Sequence, residues 1–226
     1  MLKSIFLDTS ILLYLATILV SLYTYKKYFD TSLKYFPILL MYVLLTEILG
    51  LIIRLDPKMN PFITGLYSNY NYIIYYIYHF IYLGYFYYVF WQNINSEKVK
   101  RSIAYGFITY LIIALLNASF RSIINERQLF SDTFGSLLLI FCAVFFIYEN
   151  KSNPELFRRL LFWISLGIII FQLVYFPINI VYSYITKENE ALYYQLRPFH
   201  EAVFYTMYGC FITGFLLLKP RIRKSN

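Results

Sequence analysis

Apolar stretches recur along the whole chain and are separated by short polar connections. Seven windows approach the roughly 20 apolar residues that a helix needs to cross the hydrocarbon core of a bilayer. They cover residues 5–23, 33–53, 70–91, 103–120, 132–148, 160–182 and 198–218. The connections, such as RLDPKMNPFITG and TKENEALYYQLRP, are too short to hold a soluble domain. The pattern predicts an all-α fold, a polytopic bundle of seven transmembrane helices in which residues 1–226 form one domain.

Composition supports the same class of protein. The chain is 60% hydrophobic and only 14% charged, whereas soluble domains average about 25% charged residues. One soluble core cannot bury so many apolar side chains, so we expect an integral membrane protein whose main partner is the lipid bilayer. The first window lacks a small-residue cleavage site, which predicts a retained helix rather than a signal peptide.

Basic residues are distributed unequally between the two sides of the predicted bundle. Thirteen of the 20 Lys and Arg residues fall on the side of the C-terminus, together with only four of the 12 acidic residues. The positive-inside rule then places the N-terminus outside and the C-terminus inside, in the inner (cytoplasmic) membrane of a bacterium. The basic tail, residues 219–226, is expected to contact anionic lipid. Nucleic-acid binding is not expected, because no loop is long enough to form a basic fold.

Two ionisable residues lie deep inside predicted spans, where charge is costly and marks candidate functional sites. Glu47 and His79 are expected about 10 and 15 Å from the outer boundary, at 1.5 Å of rise per residue. They occupy consecutive helices, so we expect them to pair. Such a pair would either take part in ligand or proton chemistry or hold the two helices in register.

The aromatic run around His79 can be divided by helical face. One face carries Tyr72, Tyr75, Tyr76, His79, Leu83 and Phe86, and the opposite face carries Ile74, Ile77, Ile81 and Gly84. At 100° per residue, the first face is predicted to point into the bundle and the second toward lipid. A buried phenol needs a hydrogen-bond partner, so Tyr75 or Tyr76 is expected to complete the Glu47–His79 network. The aromatic residues expected to form an interfacial belt are Tyr70, Tyr85, Tyr87, Tyr88 and Trp91.

Further polar residues fall in the same outer half of the bundle, and Pro177 is expected to kink the sixth helix between two of them. We therefore predict a polar, aromatic vestibule that opens outward, with packing polarity as the alternative explanation. The candidate residues for a ligand site or polar network are Glu47, Tyr72, Tyr75, Tyr76, His79, Asn117, Gln172, Asn179, His200 and Glu201.

Residues near predicted helix starts have simpler roles. Asp8 and Asp132 are expected to cap the first turns of their helices. Pro198 suits the first position of the seventh helix, which places His200 and Glu201 in its opening turn. Arg197 lies four residues before Glu201 and is expected to pair with it, as in the stretch RPFHE.

Catalytic motifs are absent from the sequence. Only two histidines exist, whereas a catalytic zinc usually has three protein ligands. No HExxH, GxSxG or glycine-rich phosphate loop occurs, and the last span has no Schiff-base lysine before Lys219. We expect no enzyme activity, no cofactor and no metal.

The stretches LLFWISLGIIIFQLVYF and RPFHEAVFYTMYGCF carry Phe162 and Trp163 at the start of the sixth helix and His200 near the start of the seventh. In these marks the chain resembles small bacterial seven-helix membrane proteins, which are similar to membrane sensor regions fused to histidine kinases. Where many of those proteins carry asparagine four residues after the histidine, this chain has Phe204. The resemblance implies a seven-helix bundle with a sensing role.

Three functions therefore remain open. The first is a sensor or receptor that binds a small or lipid-like molecule and signals to a separate protein on the inner side. The second is a transporter or channel in which Glu47 and His79 carry protons or ions. The third is a membrane-bound accessory subunit of a larger system, such as a defence effector. A second copy of the chain is a further candidate partner.

Overall fold

The computed structural model describes residues 9–56, 58, 72–120, 128–183 and 190–218. Within these residues the chain forms seven α-helices and no strand, which confirms the all-α fold. The helices are α1 Thr9–Tyr23, α2 Phe36–Leu55, α3 Tyr72–Asn93, α4 Glu97–Phe120, α5 Leu129–Asn150, α6 Leu160–Ser183 and α7 Glu190–Leu216. Short 3-10 turns lie at Tyr25–Lys27, Ser32–Tyr35 and Leu156–Arg158.

Five of the described helices, α2 to α6, are long and apolar enough to cross a membrane. Helix α1 is apolar over its 15 described residues but shorter. Helix α7 has 27 residues and carries Glu190, Arg197 and Glu201 in its first half. The five apolar helices identify an integral membrane protein.

The helices pack in chain order. Each contacts the next, α7 returns to contact α1, and the most extensive contact joins α6 to α7. Glycine permits that close approach, because a Cβ built at Gly167 would lie only 2.9 Å from the Met207 carbonyl oxygen. Helix α3 contacts α2, α4 and α5, and its Leu83, Phe86 and Phe90 are fully buried.

Aromatic rings fill the middle of the bundle. Phe36 at the start of α2 lies between Phe86 of α3 and Phe211 and Phe215 of α7, with ring centroids 5.6 to 6.0 Å apart. Lipid tails are as apolar as these rings, so the contact stabilises the fold through close packing rather than through removal of apolar surface from water. Phe36 thereby joins three helices at one point.

Hydrogen bonds tie together the end of the bundle at which α1, α3, α5 and α7 finish, which we call the basic end. Glu149 near the end of α5 accepts hydrogen bonds from the backbone amides of Asn95 and Ser96 at 2.8 and 2.9 Å. It thereby caps the N-terminus of α4. The Lys27 ammonium group donates to the Leu218 carbonyl oxygen at 3.0 Å, just after α7. We call the opposite end, where these four helices begin, the far end.

The division of α3 into two faces is largely correct. Ile77 and Ile81 are each 41% exposed on the outer surface, as predicted, and Leu83 is fully buried. Ile74 is the exception, since only 6% of it is exposed. The reason is that α3 contacts three helices rather than one neighbour, so its buried sector is wider than a single stripe.

The interfacial belt is correct only in part. Tyr88 and Trp91 are exposed on the outer surface. Tyr87 is buried and donates a hydrogen bond to the Gly135 carbonyl oxygen of α5, and the hydroxyl group of Tyr85 is also buried. Both tyrosines lie on the side of α3 that packs against other helices. The prediction of an interfacial belt used only their distance from the helix end and not the side of the helix on which they lie.

Several predictions concern parts of the chain outside the described residues. These are the helix cap at Asp8, the interfacial ring of Tyr70 and the lipid contact of residues 219–226.

Candidate functional site

The candidate residues gather in the half of the bundle nearer the far end. Glu47 and Asn117 lie toward the ends of α2 and α4, while His79 lies in the first half of α3. Helices α2, α4 and α6 run toward the far end and α3, α5 and α7 run away from it. Residues that are distant in sequence therefore reach the same depth.

Glu47 is half-buried, and a tyrosine of α3 contacts its carboxylate. The Tyr75 hydroxyl group of α3 donates to Glu47 Oε2 at 3.3 Å. Three further tyrosines, Tyr14 of α1, Tyr78 of α3 and Tyr208 of α7, lie within electrostatic range of the carboxylate. We call these four tyrosines and Glu47 the Glu47 cluster. Its members come from α1, α2, α3 and α7.

Ring contacts hold the cluster in place. Tyr14 is 5% exposed and Tyr208 3% exposed, and their rings meet edge to face with centroids 4.9 Å apart. Phe204 packs against both, at 5.3 and 4.9 Å. Edge-to-face pairs of this kind have a preferred geometry, so they restrict where each phenol oxygen lies.

Tyr175 extends the polar region onto α6. Its hydroxyl group donates to Asn179 Oδ1 at 3.5 Å, and its ring lies 5.1 Å from that of His200 on α7. Tyr75 of α3 lies within electrostatic range of Tyr175. Asn179 is 7% exposed. Two predicted site residues, Asn179 and His200, thus both contact a tyrosine that the sequence did not single out.

Gln172 lies about two turns before Asn179 on α6 and is also buried, with 2% of its surface exposed. No described residue donates a hydrogen bond to its Oε1 atom. Burying a polar atom without a partner costs free energy, so this amide is a candidate ligand contact.

His79 was assigned the wrong partner. Its Nδ1 atom lies 3.2 Å from Asp132 Oδ1 of α5, and the two side chains are 17% and 20% exposed. Glu47 is instead hydrogen-bonded to Tyr75. The prediction that Glu47 and His79 pair is therefore corrected to two separate interactions, Glu47 with Tyr75 and His79 with Asp132.

The neighbours of α3 and the start of α5 explain this error. Helix α3 packs against α5 as well as α2, so His79 has a second helix within reach. Helix α5 begins at Leu129, which moves Asp132 inward to the end of the first turn. Asp132 is in the first turn as predicted, but its carboxylate faces His79 on α3 instead of serving only as a cap.

The other predicted residues have separate positions. The Tyr76 hydroxyl group donates to the Ala114 carbonyl oxygen of α4 at 3.2 Å, outside the Glu47 cluster. Tyr72 opens α3 and is half-buried. Asn117 is 7% exposed near the end of α4, and Tyr76 lies on the same side of α3 as α4.

The prediction for the start of the last helix is wrong in one respect. Helix α7 already includes Glu190, the first described residue after the gap at 184–189, and Pro198 lies inside it. The missing amide hydrogen of proline removes one backbone hydrogen bond there. His200 and Glu201 consequently lie about 15 Å beyond Glu190 instead of in the opening turn. The predicted ion pair is confirmed, with Arg197 Nε 2.7 Å from Glu201 Oε1.

Sequence reasoning overlooked Tyr14, Tyr78, Tyr175 and Tyr208. One signal was present, because each tyrosine lies well inside an apolar stretch rather than at its ends. A phenol at that depth wants a polar partner. The chain has 26 tyrosines, so the sequence alone did not distinguish the few that lie near Glu47 from the others.

Two cavities lie on the outer surface and not at the Glu47 cluster. One, of about 370 Å³, is lined by Leu137, Ile140, Phe141, Val144, Phe145 and Tyr148 of α5. The other, of about 240 Å³, is lined by Ile113, Leu116, Asn117, Phe120 and Phe130 of α4 and α5. The vestibule around Glu47 stays a prediction.

No protein-family model, curated protein or solved structure matches the chain. The similarity to sensor regions of histidine kinases therefore stays a prediction from the residues of α6 and α7.

Proposed function

We propose that the protein is a multi-pass membrane receptor that binds a small or lipid-like molecule in the far half of the bundle and signals to a separate protein at the basic end. The observation that carries this proposal is the Glu47 cluster, in which an interior carboxylate accepts a hydrogen bond from Tyr75 and lies within electrostatic range of tyrosines from α1, α3 and α7. The resemblance of α6 and α7 to sensor regions agrees with it.

The chemistry of the cluster favours a molecule with a hydrogen-bond donor and an apolar body. The Glu47 carboxylate accepts hydrogen bonds, and Tyr75 already donates one at 3.3 Å. The tyrosine rings offer flat apolar surfaces and polar tips. In a low-dielectric interior, a ligand group that replaces Tyr75 at Glu47 forms a stronger hydrogen bond than it would in water.

Signalling follows if the bound and free states differ in helix packing. The cluster joins α1, α2, α3 and α7, so a ligand that separates Tyr75 from Glu47 changes the contact between α2 and α3. A ligand shifts a conformational equilibrium only through its different affinity for the two states. Movement of α3 would reach the basic end directly, because α3 ends there at Asn93.

A thermal-shift screen of the purified full-length protein in detergent tests this proposal. The probes are small amines, alcohols and single-chain amphiphiles. A ligand of the cluster should raise the melting temperature of the wild type, and Glu47→Gln should reduce that rise. Glu155→Gln is the matched control, because Glu155 lies at the basic end in an exposed pair with Arg158. Equal shifts in both variants would contradict a receptor site at Glu47.

A specific observation also favours proton or ion transport as a second candidate. His79 and Asp132 form an ionisable pair between α3 and α5, and such pairs inside membrane segments mark ion and proton pathways. Proteoliposomes containing a pH-sensitive dye measure this activity. Proton flux that Asp132→Asn abolishes would favour transport over sensing, and the absence of flux would leave the pair a structural contact.

The proposed membrane arrangement has seven spans, including α1 and α7, with the N-terminus outside and the basic end inside the bacterial inner membrane. The unequal distribution of Lys and Arg supports this orientation. A C-terminal alkaline phosphatase fusion should be inactive and a C-terminal green fluorescent protein fusion fluorescent; the reverse result would invert the topology. The accessory-subunit alternative would be favoured by neighbouring genes for a nuclease or other immune protein.

A further inference from the structure

A groove follows the outer surface of α5 through one leaflet of the membrane. It is the larger of the two surface cavities, about 370 Å³. Its lining extends from Leu137, near the middle of α5, to Tyr148 at the basic end, which corresponds to about 16 Å along the helix axis. That length is close to half of the roughly 30 Å hydrocarbon core. The groove therefore lies in the leaflet at the basic end.

The lining of the groove is apolar and open to lipid. Leu137, Phe141 and Val144 are exposed, and α5 is long and apolar enough to span the bilayer, so these side chains face hydrocarbon. The rings of Phe141, Phe145 and Tyr148 follow one another along the helix, with successive centroids 6.2 and 6.3 Å apart. An acyl chain can lie against this aromatic row through dispersion contacts. Apolar contact alone does not select one lipid over another.

A positive charge lies at the basic-end opening of the groove. The Lys151 ammonium group is 4.3 Å from the centroid of the Tyr148 ring, and Tyr148 lines the groove. Lys151 is exposed, and no described acidic residue forms a salt bridge with it. The ring face attracts the ammonium group, which has three donors and keeps some of them for a second partner. The apolar groove thus ends at an accessible cation.

The acidic side chains nearest to Lys151 in the sequence have other partners. Glu149 accepts hydrogen bonds from backbone amides at the start of α4, and Glu155 pairs with Arg158 at 3.8 Å. The Arg159 guanidinium group adds a second positive charge at the end of α5, where it is held by a hydrogen bond of 2.7 Å. Lys and Arg at the membrane surface attract anionic lipid headgroups, so the end of α5 favours a negatively charged lipid.

We propose that this groove binds an anionic phospholipid of the leaflet at the basic end, with one acyl chain along the aromatic row and the headgroup phosphate at Lys151. Charge complementarity selects the headgroup. A zwitterionic lipid with the same chains makes the same apolar contacts but carries its own positive charge beside the phosphate. The site shares no residue with the Glu47 cluster or with residues 219–226, so it goes beyond the proposed receptor function and the predicted lipid contact of the tail.

Lys34 provides an internal comparison for Lys151. Its ammonium group lies 4.8 Å from the centroid of the Tyr35 ring at the start of α2, also at the basic end, and both residues are exposed. Like Lys151, it forms no salt bridge with the acidic residues that the structure describes. The Tyr35 ring lines neither surface cavity. Lys34 therefore has the same charge and aromatic support without the groove.

Quenching of tryptophan fluorescence by brominated lipids tests the site locally. The chain has two tryptophans, so Phe141→Trp is made together with Trp91→Phe and Trp163→Phe to leave one indole, in the groove. The full-length protein is reconstituted in phosphatidylcholine vesicles that contain equal fractions of brominated phosphatidylglycerol or brominated phosphatidylcholine. We expect phosphatidylglycerol to occupy the groove about fivefold more strongly than phosphatidylcholine, the factor expected for one basic residue near an anionic lipid.

Matched variants assign that preference to Lys151. Lys151→Gln should reduce the ratio of the two lipids to about one, whereas Lys34→Gln should leave it unchanged. A second reporter, Ile112→Trp in place of Phe141→Trp, lies on the exposed surface of α4 outside both cavities and should be quenched equally by the two lipids. Equal quenching at position 141, or a preference that survives Lys151→Gln, would overturn the proposal. Quenching by neither lipid would also overturn it, because a protein surface such as a second copy would then cover the groove.

Native mass spectrometry of the chain with its own tryptophans supplies a measurement that does not depend on the reporter background. Lys151→Gln should lose one tightly retained phosphatidylglycerol, whereas Lys34→Gln should keep the wild-type number. Val144→Trp fills the groove and should lose the same lipid. Lys151 is exposed and Val144 faces lipid, so both variants are expected to fold. An unchanged number of retained lipids in Lys151→Gln would contradict the site.

Discussion

The His79–Asp132 contact leads to a quantitative prediction about stability. Both side chains are mostly buried, at 17% and 20% exposure, and the Nδ1 and Oδ1 atoms lie 3.2 Å apart. Removing only His79 leaves the Asp132 carboxylate in an apolar setting without its partner, which costs more than the lost hydrogen bond alone. His79→Phe should therefore destabilise the protein more than the double variant His79→Phe, Asp132→Asn.

The size of the coupling follows from related measurements and from the burial of the pair. Hydrogen-bond coupling in membrane interiors averages about 0.6 kcal/mol and reaches about 1.7 kcal/mol. A short contact with little water access belongs in the upper part of that range. We therefore expect about 1 kcal/mol of coupling between His79 and Asp132, on a single-variant cost of about 1 to 3 kcal/mol.

Equilibrium unfolding in mixed detergent micelles, followed by circular dichroism, supplies the free energies for this double-mutant cycle. A parallel cycle of His79→Phe with Glu47→Gln is the control, because the structure pairs Glu47 with Tyr75 and not with His79. The costs in that cycle should add within about 0.3 to 0.5 kcal/mol. If the coupling appeared with Glu47 and was missing with Asp132, the assignment of partners given above would be wrong.

Two other predictions concern the fold. Gly167→Ala should destabilise the contact between α6 and α7 by about 1 to 3 kcal/mol, because the new Cβ would lie 2.9 Å from the Met207 carbonyl oxygen. The control Gly209→Ala meets nothing within 4 Å and should be neutral or stabilising by up to about 1 kcal/mol. The unfolding midpoints of the two variants are compared in one detergent, and equal midpoints would contradict the close approach of α6 and α7. Glu149→Gln should lower the free energy of unfolding by about 1 kcal/mol, because it weakens the cap of α4. The control Glu155→Gln, in an exposed pair at 3.8 Å, should change it by less than about 0.5 kcal/mol. Hydrogen exchange at the first turn of α4 measures the local effect, and unchanged exchange in Glu149→Gln would show that the cap is dispensable.

Periodicity was sufficient for the inward face of α3 but not for its neighbours. The spacing of Tyr75, His79 and Leu83 correctly placed them toward the bundle. Tyr75 and His79 differ by only about 40° around the helix, yet one meets α2 and the other meets α5. A helical wheel shows which residues share a face, but it contains no information about which helix lies opposite each part of that face.

The hydrophobic pattern by itself determined the all-α fold, the membrane setting and the positions of the helices, except that α4 and α7 extend at least six and eight residues further toward the N-terminus than predicted. These follow from local physics, since a chain in hydrocarbon must satisfy its backbone hydrogen bonds within each helix and needs about 20 apolar residues to do so across a bilayer. The tertiary structure decided the pairing of His79 with Asp132, the gathering of Tyr14, Tyr78 and Tyr208 around Glu47, and the burial of Tyr87. Such contacts depend on the position of α3 among α2, α4 and α5, which is set by close packing between helices far apart in the sequence.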